Sequence, residues 1–294
     1  MLGAFLSLCA AFFWAGSVIL FKLSGKTLSP VSLNLFKSLV AFILISLTML
    51  ILSIDFFPAR PVNDWLWLAL SGVIGITLSD LLFFTALNRL GAGMTAIVEC
   101  LYLPSVIFFS FLLLNENLTP NAFTGGFLVF VAVIVGSLSK KSHDSKHRTT
   151  VSWSGIFIGA MAMVSIAVGI VIIKELLADA NVFWATLVRV TAAVISLSAI
   201  VSILPKRTIY LKELRDSKAW IYAIPASVCG NYIALLCWVG GMKYTTASKA
   251  AILNQMSTIF IFILAAVFLK EKITPNRLAA ICLAVTGACL TIWG

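Results

Sequence analysis

Apolar residues in this chain neither alternate with polar ones nor recur on one helical face. They come in unbroken runs of about 20 residues, the length a helix rising 1.5 Å per residue needs to cross a hydrocarbon layer roughly 30 Å thick. Ten such runs lie near Leu2–Phe21, Pro30–Ile54, Asp64–Leu87, Ala92–Leu114, Pro120–Ser139, Trp153–Leu177, Asn181–Leu204, Lys218–Met242, Thr246–Leu269 and Pro275–Trp293. A bilayer offers its interior backbone no water, and the runs are uniformly apolar, so they predict helices and not barrel strands. The pattern therefore predicts an all-α polytopic membrane protein with ten transmembrane helices. The first run has no basic residue before it and no small-residue cleavage site after Phe21, and reads as a retained span.

The polar breaks repeat. ENLTPN at Glu116 to Asn121 has a near copy, EKITPN, at Glu271 to Asn276, 155 positions on. Lys22 and Lys174 end their first spans 152 apart, Lys37 and Arg189 sit in the second spans 152 apart, and Asp80 and Asn231 fall in the third spans 151 apart. The polar stretch Lys140–Ser152 divides the chain into repeats over residues 1–139 and 153–294, with 140–152 as a cytoplasmic linker. Five spans per half is odd, so the two halves enter the membrane in opposite orientations, as inverted repeats. Each hexapeptide reads as a tight turn opening a helix: Thr119 and Thr274 are good N-caps, and Pro120 and Pro275 suit a first turn. Asn117-Leu118-Thr119 matches a glycosylation acceptor, in a turn too short to be reached easily.

NLFKSLVAFILI and TLVRVTAAVISL in spans 2 and 7, with PSVIFFSFLLLNENLTPNAFTGGFLVFVAVIVG and STIFIFILAAVFLKEKITPNRLAAICLAVTGACL, give the chain its family likeness. It resembles the ten-helix EamA-type branch of the drug/metabolite transporter superfamily over essentially its whole length. The resemblance implies a basket of ten helices, a central cavity formed by spans 1 to 4 and 6 to 9, alternating access, and spans 5 and 10 as lateral supports. Pro104 is replaced by Ile259 in the second half, so the halves need not bend alike.

Composition agrees: 61% of residues are hydrophobic and 11% charged, against roughly a quarter charged in soluble domains. The net charge of +10 is explained by where it sits. Lys22, Lys26, Arg89, Lys140, Lys141, Lys146, Arg148, Lys206, Arg207, Lys212, Arg215, Lys218, Lys270, Lys272 and Arg277 lie at odd-numbered connections, and Arg60, Lys174 and Lys243 at even ones. The positive-inside rule puts the odd connections in the cytoplasm and both termini in the periplasm of a bacterial inner membrane. That distribution needs no nucleic-acid partner. The six cysteines lie inside apolar runs without a CxxC pair and read as small buried hydrophobes. His143, Asp144 and His147 have ligand spacing but stand in a charged linker, so neither metal nor cofactor is expected. Gly155 and Gly159 form a GxxxG expected at a contact within the bundle, in a monomer or weak homodimer. No phosphate-binding glycine loop or GxSxG occurs, and an enzyme is not expected.

The chemistry lies in the exceptions to apolarity. An ionisable side chain at mid-membrane costs about 2.5–3.5 kcal/mol on insertion scales, so each is a functional candidate. Lys37, Asp80, Glu99, Arg189 and Lys249 qualify, with the amides Asn231, Asn254 and Gln255. Lys37, Asp80 and Glu99 each lie about 10 Å from the cytoplasmic edge by helix rise, and Arg189, Asn231, Asn254 and Lys249 fall in the outer half. In this register Asp80 answers to Asn231 and Glu99 to Asn254. Lys37, Asp80 and Glu99 form either an ion-pair cluster or part of a transport path. Arg189 and Lys249 suit a carboxylate or phosphate, and Glu99 or Asp80 suits a proton exchanged during the cycle. Trp65, Trp67, Trp153, Trp220 and Trp293 lie at span ends as interfacial anchors. Trp14, Tyr102, Trp184, Tyr232 and Trp238 lie deeper, where they can stack on a substrate or cage a cation. These residues suggest a secondary transporter of a small polar metabolite, an amino acid or related carboxylate, and the family habit implies export. An organic cation or a lipid-linked headgroup, the latter moved by a flippase, are the alternatives.

Overall fold

The computed structural model describes residues 1–114, 120–137, 152–205, 207–271 and 274–292. Each expected run is largely helical over its described residues. Spans 1 to 4 are Leu2–Ser24, Pro30–Ile51, Val62–Leu90 and Ala92–Leu114, and spans 6 to 8 are Trp153–Val171, Val182–Ile203 and Lys218–Tyr244. These seven are long and apolar enough to cross a membrane, among the described residues. Span 5 is Pro120–Ser137, span 9 is Ala247–Asn254 followed by Met256–Phe268, and span 10 is Pro275–Ile292. Residues 140–151 of the expected linker, its two histidines, the Asn117 triplet and Thr119 lie outside the described residues.

Contacts between connections sort into two sets, as ten crossings require. Lys22 Nζ donates to the carbonyls of Leu87 (2.8 Å) and Asn88 (3.2 Å), Arg89 reaches Ser154 (3.0 Å), and Ser29 donates to Glu213 (2.7 Å). All of these join odd-numbered connections. At the other end Lys174 donates to the carbonyls of Met242 and of Thr245 (2.9 Å), Lys243 to that of Ala180 (2.6 Å), and Arg60 to that of Asp179. The Lys22 and Lys174 contacts are repeat counterparts: each places a cation on carbonyls at the end of span 3 or span 8, where the helix dipole favours positive charge. Packing between halves is reciprocal as well. Span 1 lies on spans 8 and 9 while span 6 lies on spans 3 and 4, span 2 meets span 7, and spans 5 and 10 pair at the side.

Between membrane helices, close packing of small residues replaces the hydrophobic drive. The backbones of Gly75 and Gly169 nearly touch, a Cβ on Gly72 would strike the backbone of Arg189, and Ser71 Oγ donates to the Gly169 carbonyl. Gly155 and Gly159 face Leu90, Val98 and Ala86 of spans 3 and 4, a contact within the bundle.

Three local features were not legible in the run pattern. First, spans 3 and 8 widen into π-helical turns at Val73–Leu78 and Val228–Ala234, again 155 apart. Such turns leave carbonyls poorly paired. In span 3 the buried Asn34 Nδ2 donates to the carbonyls of Ile76 (3.3 Å) and Thr77 (3.0 Å), and in span 8 Pro225 precedes the widened segment.

Second, spans 4 and 9 both break at one place, Cys100–Leu101 and Gln255. The Pro104-to-Ile259 difference led to an expectation that the halves need not bend alike, yet they break at matched positions. Cys100 Sγ and Gln255 Nε2 both reach Thr258 Oγ1 (3.6 and 2.8 Å), so one polar cluster joins the two breaks. Third, an amphipathic helix, Arg207–Arg215, lies between spans 7 and 8, packing Tyr210 and Leu214 on Leu35, Leu197 and Val201.

The second hexapeptide does more than turn the chain. Thr274 accepts from Arg277 N (3.4 Å) as an N-cap. The Glu271 carboxylate accepts from the backbone amides of Ala92 (2.8 Å) and Gly93 (3.0 Å), which begin span 4. Those amides have no partner in their own helix, and an anion there suits the dipole. Gly91, at φ 81°, lets the carboxylate in, since a Cβ would stand 2.9 Å from Glu271 Oε1.

Gly72→Val forces side-chain carbon into the Arg189 backbone, and overpacking of this kind costs about 1–3 kcal/mol. Its melting temperature in detergent, followed by tryptophan fluorescence, should fall well below wild type. Gly16→Ala, at a site with nothing within 4 Å of the new carbon, should match wild type.

Candidate functional site

The π turns and helix breaks surround a cavity whose empty space, open mouth included, is about 890 Å³. Its wall comes from spans 1, 3, 4, 6, 7, 8 and 9. Spans 3 and 8 contribute in matched pairs 155 apart: Gly75 and Gly230, Ile76 and Asn231, Ser79 and Ala234, Asp80 and Leu235, Phe83 and Trp238. The π turns, which begin at Val73 and Val228, set this register. It revises one expected pairing: Asn231 corresponds to Ile76, and the counterpart of Asp80 is Leu235. Glu99 and Asn254 remain partners.

Of the residues singled out from sequence, Trp14, Asp80, Glu99, Tyr102, Arg189, Asn231, Trp238, Asn254 and Gln255 all line this cavity. One cavity thus gathers acids, amides and a guanidinium expected at opposite ends. Lys37 lies behind the wall, its Nζ 2.6 Å from Asp80 Oδ2. The Lys249 side chain lies outside the described residues. Trp184 is buried against Trp65 (ring centroids 4.9 Å apart), so Trp65 is a packing partner as well as a residue near a span end. Tyr232 pairs with Thr48 (2.6 Å). The charge-poor lining residues Ser79, Phe83 and Thr258 were missed because nothing marks them until the helices widen or break beside them.

The ionisable groups differ in how they are satisfied. Lys37 and Asp80 neutralise each other; Glu99, expected as a possible third member of that cluster, stands apart from it. Glu99 Oε1 accepts from Trp14 Nε1 at 2.8 Å, while Oε2 is buried with no hydrogen-bond partner among the described residues. Arg189 is 0% exposed, and among the described residues its Nε, Nη1 and Nη2 find no hydrogen-bond partner. Its guanidinium lies 5.5 Å from the Trp238 ring, whose Nε1 donates to Tyr102 OH (3.2 Å). A ring face eases a buried cation but leaves its five N–H donors unanswered. Arginine without such partners, at a cavity wall, is chemically arranged to receive a planar oxyanion.

The EamA-like transporter family model matches residues 1–138 and 153–293. This chain belongs to the EamA-like transporter family. It is a multi-pass membrane transporter of the drug/metabolite transporter superfamily, built from two EamA repeats, and not an enzyme. It is 25% identical over 285 residues to an uncharacterized transporter of Archaeoglobus fulgidus, covering 96% of this chain and 94% of that one. It is also 25% identical over 228 residues to the protein PecM of Dickeya dadantii, covering 75% of this chain and 72% of PecM. A solved crystal structure superposes with a TM-score of 0.69 at 18% identity, covering 98% of this EamA chain and 95% of that chain, a likeness of fold.

The Lys37–Asp80 pair makes a stability prediction that separates it from transport. Removing one partner of a buried pair strands the other charge and costs about 3–5 kcal/mol, whereas apolar residues in both places are close to neutral. Asp80→Asn should therefore lower the melting temperature sharply, and Lys37→Met with Asp80→Leu should recover most of it. If the double variant melts no higher than Asp80→Asn, the pair is more than a structural tie.

Proposed function

We propose that this transporter moves a small zwitterionic metabolite, an amino acid or related carboxylate, by alternating access, as an exporter of a bacterial inner membrane with both termini periplasmic. The observation that carries the reading is Arg189: a fully buried guanidinium at the cavity wall with none of its three nitrogens hydrogen-bonded. A substrate carboxylate would satisfy it in bidentate fashion. Glu99 offers a free carboxylate oxygen in the same cavity, suited either to a substrate ammonium or to a coupling proton. Both are acceptor tasks at one atom, so substrate and proton would compete for Glu99, which is the exchange that drives a proton-coupled export cycle. Trp14 fixes the other oxygen and so aims the group.

The organic-cation alternative is less well supported, because the Trp238 face it would need already lies beside the Arg189 guanidinium. A second cation there meets like charge in a low-dielectric wall.

Purified protein in liposomes should exchange external labelled amino acid for internal unlabelled amino acid, and should not exchange choline. Charge-assisted hydrogen bonds contribute about 1.5–3 kcal/mol each, so Arg189→Gln should slow exchange by roughly tenfold to a hundredfold. Choline exchange without amino-acid exchange refutes the reading. For coupling, Glu99→Gln should abolish transport driven by a pH gradient and leave counterflow intact; loss of both assigns Glu99 a structural task. For orientation, a periplasm-dependent reporter fused after Gly294 should be active and one near Ser145 silent.

A further inference from the structure

The two halves handle the same buried cation differently. Lys37 and Arg189 hold equivalent places in spans 2 and 7, 152 apart. In the first half the neighbouring π-helical span supplies a carboxylate, Asp80, which closes on Lys37 at 2.6 Å. In the second half the equivalent residue of the equivalent span is Leu235, which lines the cavity along with Arg189. Among the described residues the Arg189 nitrogens have no hydrogen-bond partner, and position 235, where the first repeat carries its acid, holds an apolar side chain.

We infer that Leu235 is the charge-selectivity determinant of this transporter. By withholding the counter-charge that Asp80 gives Lys37, it reserves the place beside Arg189 for the anionic group of the substrate. The bound carboxylate takes the role of the absent side chain, so the loaded second half reproduces the permanent ion pair of the first. The inference rests on the carboxylate reading of the cavity, but its central claim, that position 235 and a ligand anion compete for one guanidinium, is separable from the identity of the substrate. It also accounts for the polarity of the cavity wall. The first half keeps its cation behind a carboxylate, and the second leaves its cation facing the cavity, so one internal symmetry yields a neutral wall and an anion-receiving wall. The amide Asn231, where the first half has Ile76, adds a neutral donor on the same span as Leu235.

A double-mutant cycle tests this without a transport substrate. Leu235→Asp should melt above Leu235→Asn while Arg189 is present, and the order should reverse in the Arg189→Gln background, where the new carboxylate has no cation. In a direct binding measurement Leu235→Asp should weaken leucine by roughly tenfold or more relative to wild type, and should favour leucinamide, which lacks the carboxylate. Leu235→Asp melting below Leu235→Asn with Arg189 intact, failure of Leu235→Asp alone to fold, or absence of coupling in the cycle, overturns the inference. Should neither variant fold, sodium acetate measured against sodium chloride decides on the wild-type protein. Acetate must raise its melting temperature and leave that of Arg189→Gln unmoved, and no shift overturns the inference. Coupling in the cycle together with no leucine binding by the wild type sinks the amino-acid reading and leaves the selectivity role standing. Leucine exchange together with no coupling does the reverse.

Discussion

A membrane interior contains no water to pair with a charge or an amide, so every polar group in the spans must find its partner inside the protein or face a cavity that supplies one. Much of the architecture follows. Lys22 and Lys174 close the carbonyls at the ends of spans 3 and 8, Glu271 closes the amides that begin span 4, and Asn34 closes carbonyls loosened by a π turn. Asp80 closes Lys37. Among the described residues, buried side-chain atoms without a hydrogen-bond partner occur on Asn34, Ser38, Ser110, Trp184 and Arg277 as well as on Glu99 and Arg189, but of these only Glu99 and Arg189 line the cavity.

The inverted repeat turns this into a comparison within one molecule. A symmetric bundle would bind symmetrically, with the same groups offered to a substrate from either half. Here the backbone devices are kept in pairs, π turn for π turn and helix break for helix break, while the side chains on them diverge. Glu99 in the first half corresponds to Asn254 in the second, and Asp80 to Leu235. The scaffold thus supplies two similar halves, and the substitutions between them make the cavity wall unequal: an acid, Glu99, from the first half and an arginine, Arg189, from the second. Gly75 and Gly169 bring the backbones of spans 3 and 6 together beside that cavity, and Gly230 of span 8 leaves room for the Ser17 side chain of span 1.

The hydropathy pattern alone determined the number of spans, the division into two halves and most of the residues of interest. Bilayer thickness dictates run length, and an odd span count per half dictates inversion. The price of a charge in hydrocarbon made Lys37, Asp80, Glu99 and Arg189 stand out one by one. Only the tertiary structure decided which of them were already satisfied. Pairing is a matter of distance between helices, so the sequence could not tell Lys37, neutralised by Asp80, from Arg189, left open. Nor could it fix the register of the third spans, because the connection from Ile203 to Ser217 is three residues longer than that from Ile51 to Val62; counting along the chain matched Asp80 to Asn231, and alignment of the π turns matches it to Leu235. The glutamate of the doubled hexapeptide shows the same limit. Its place in a turn was readable from Thr274 and Pro275, but its bond to the amides of Ala92 and Gly93 depends on two chain segments 178 and 179 residues apart meeting at one end of the bundle, which no local pattern encodes.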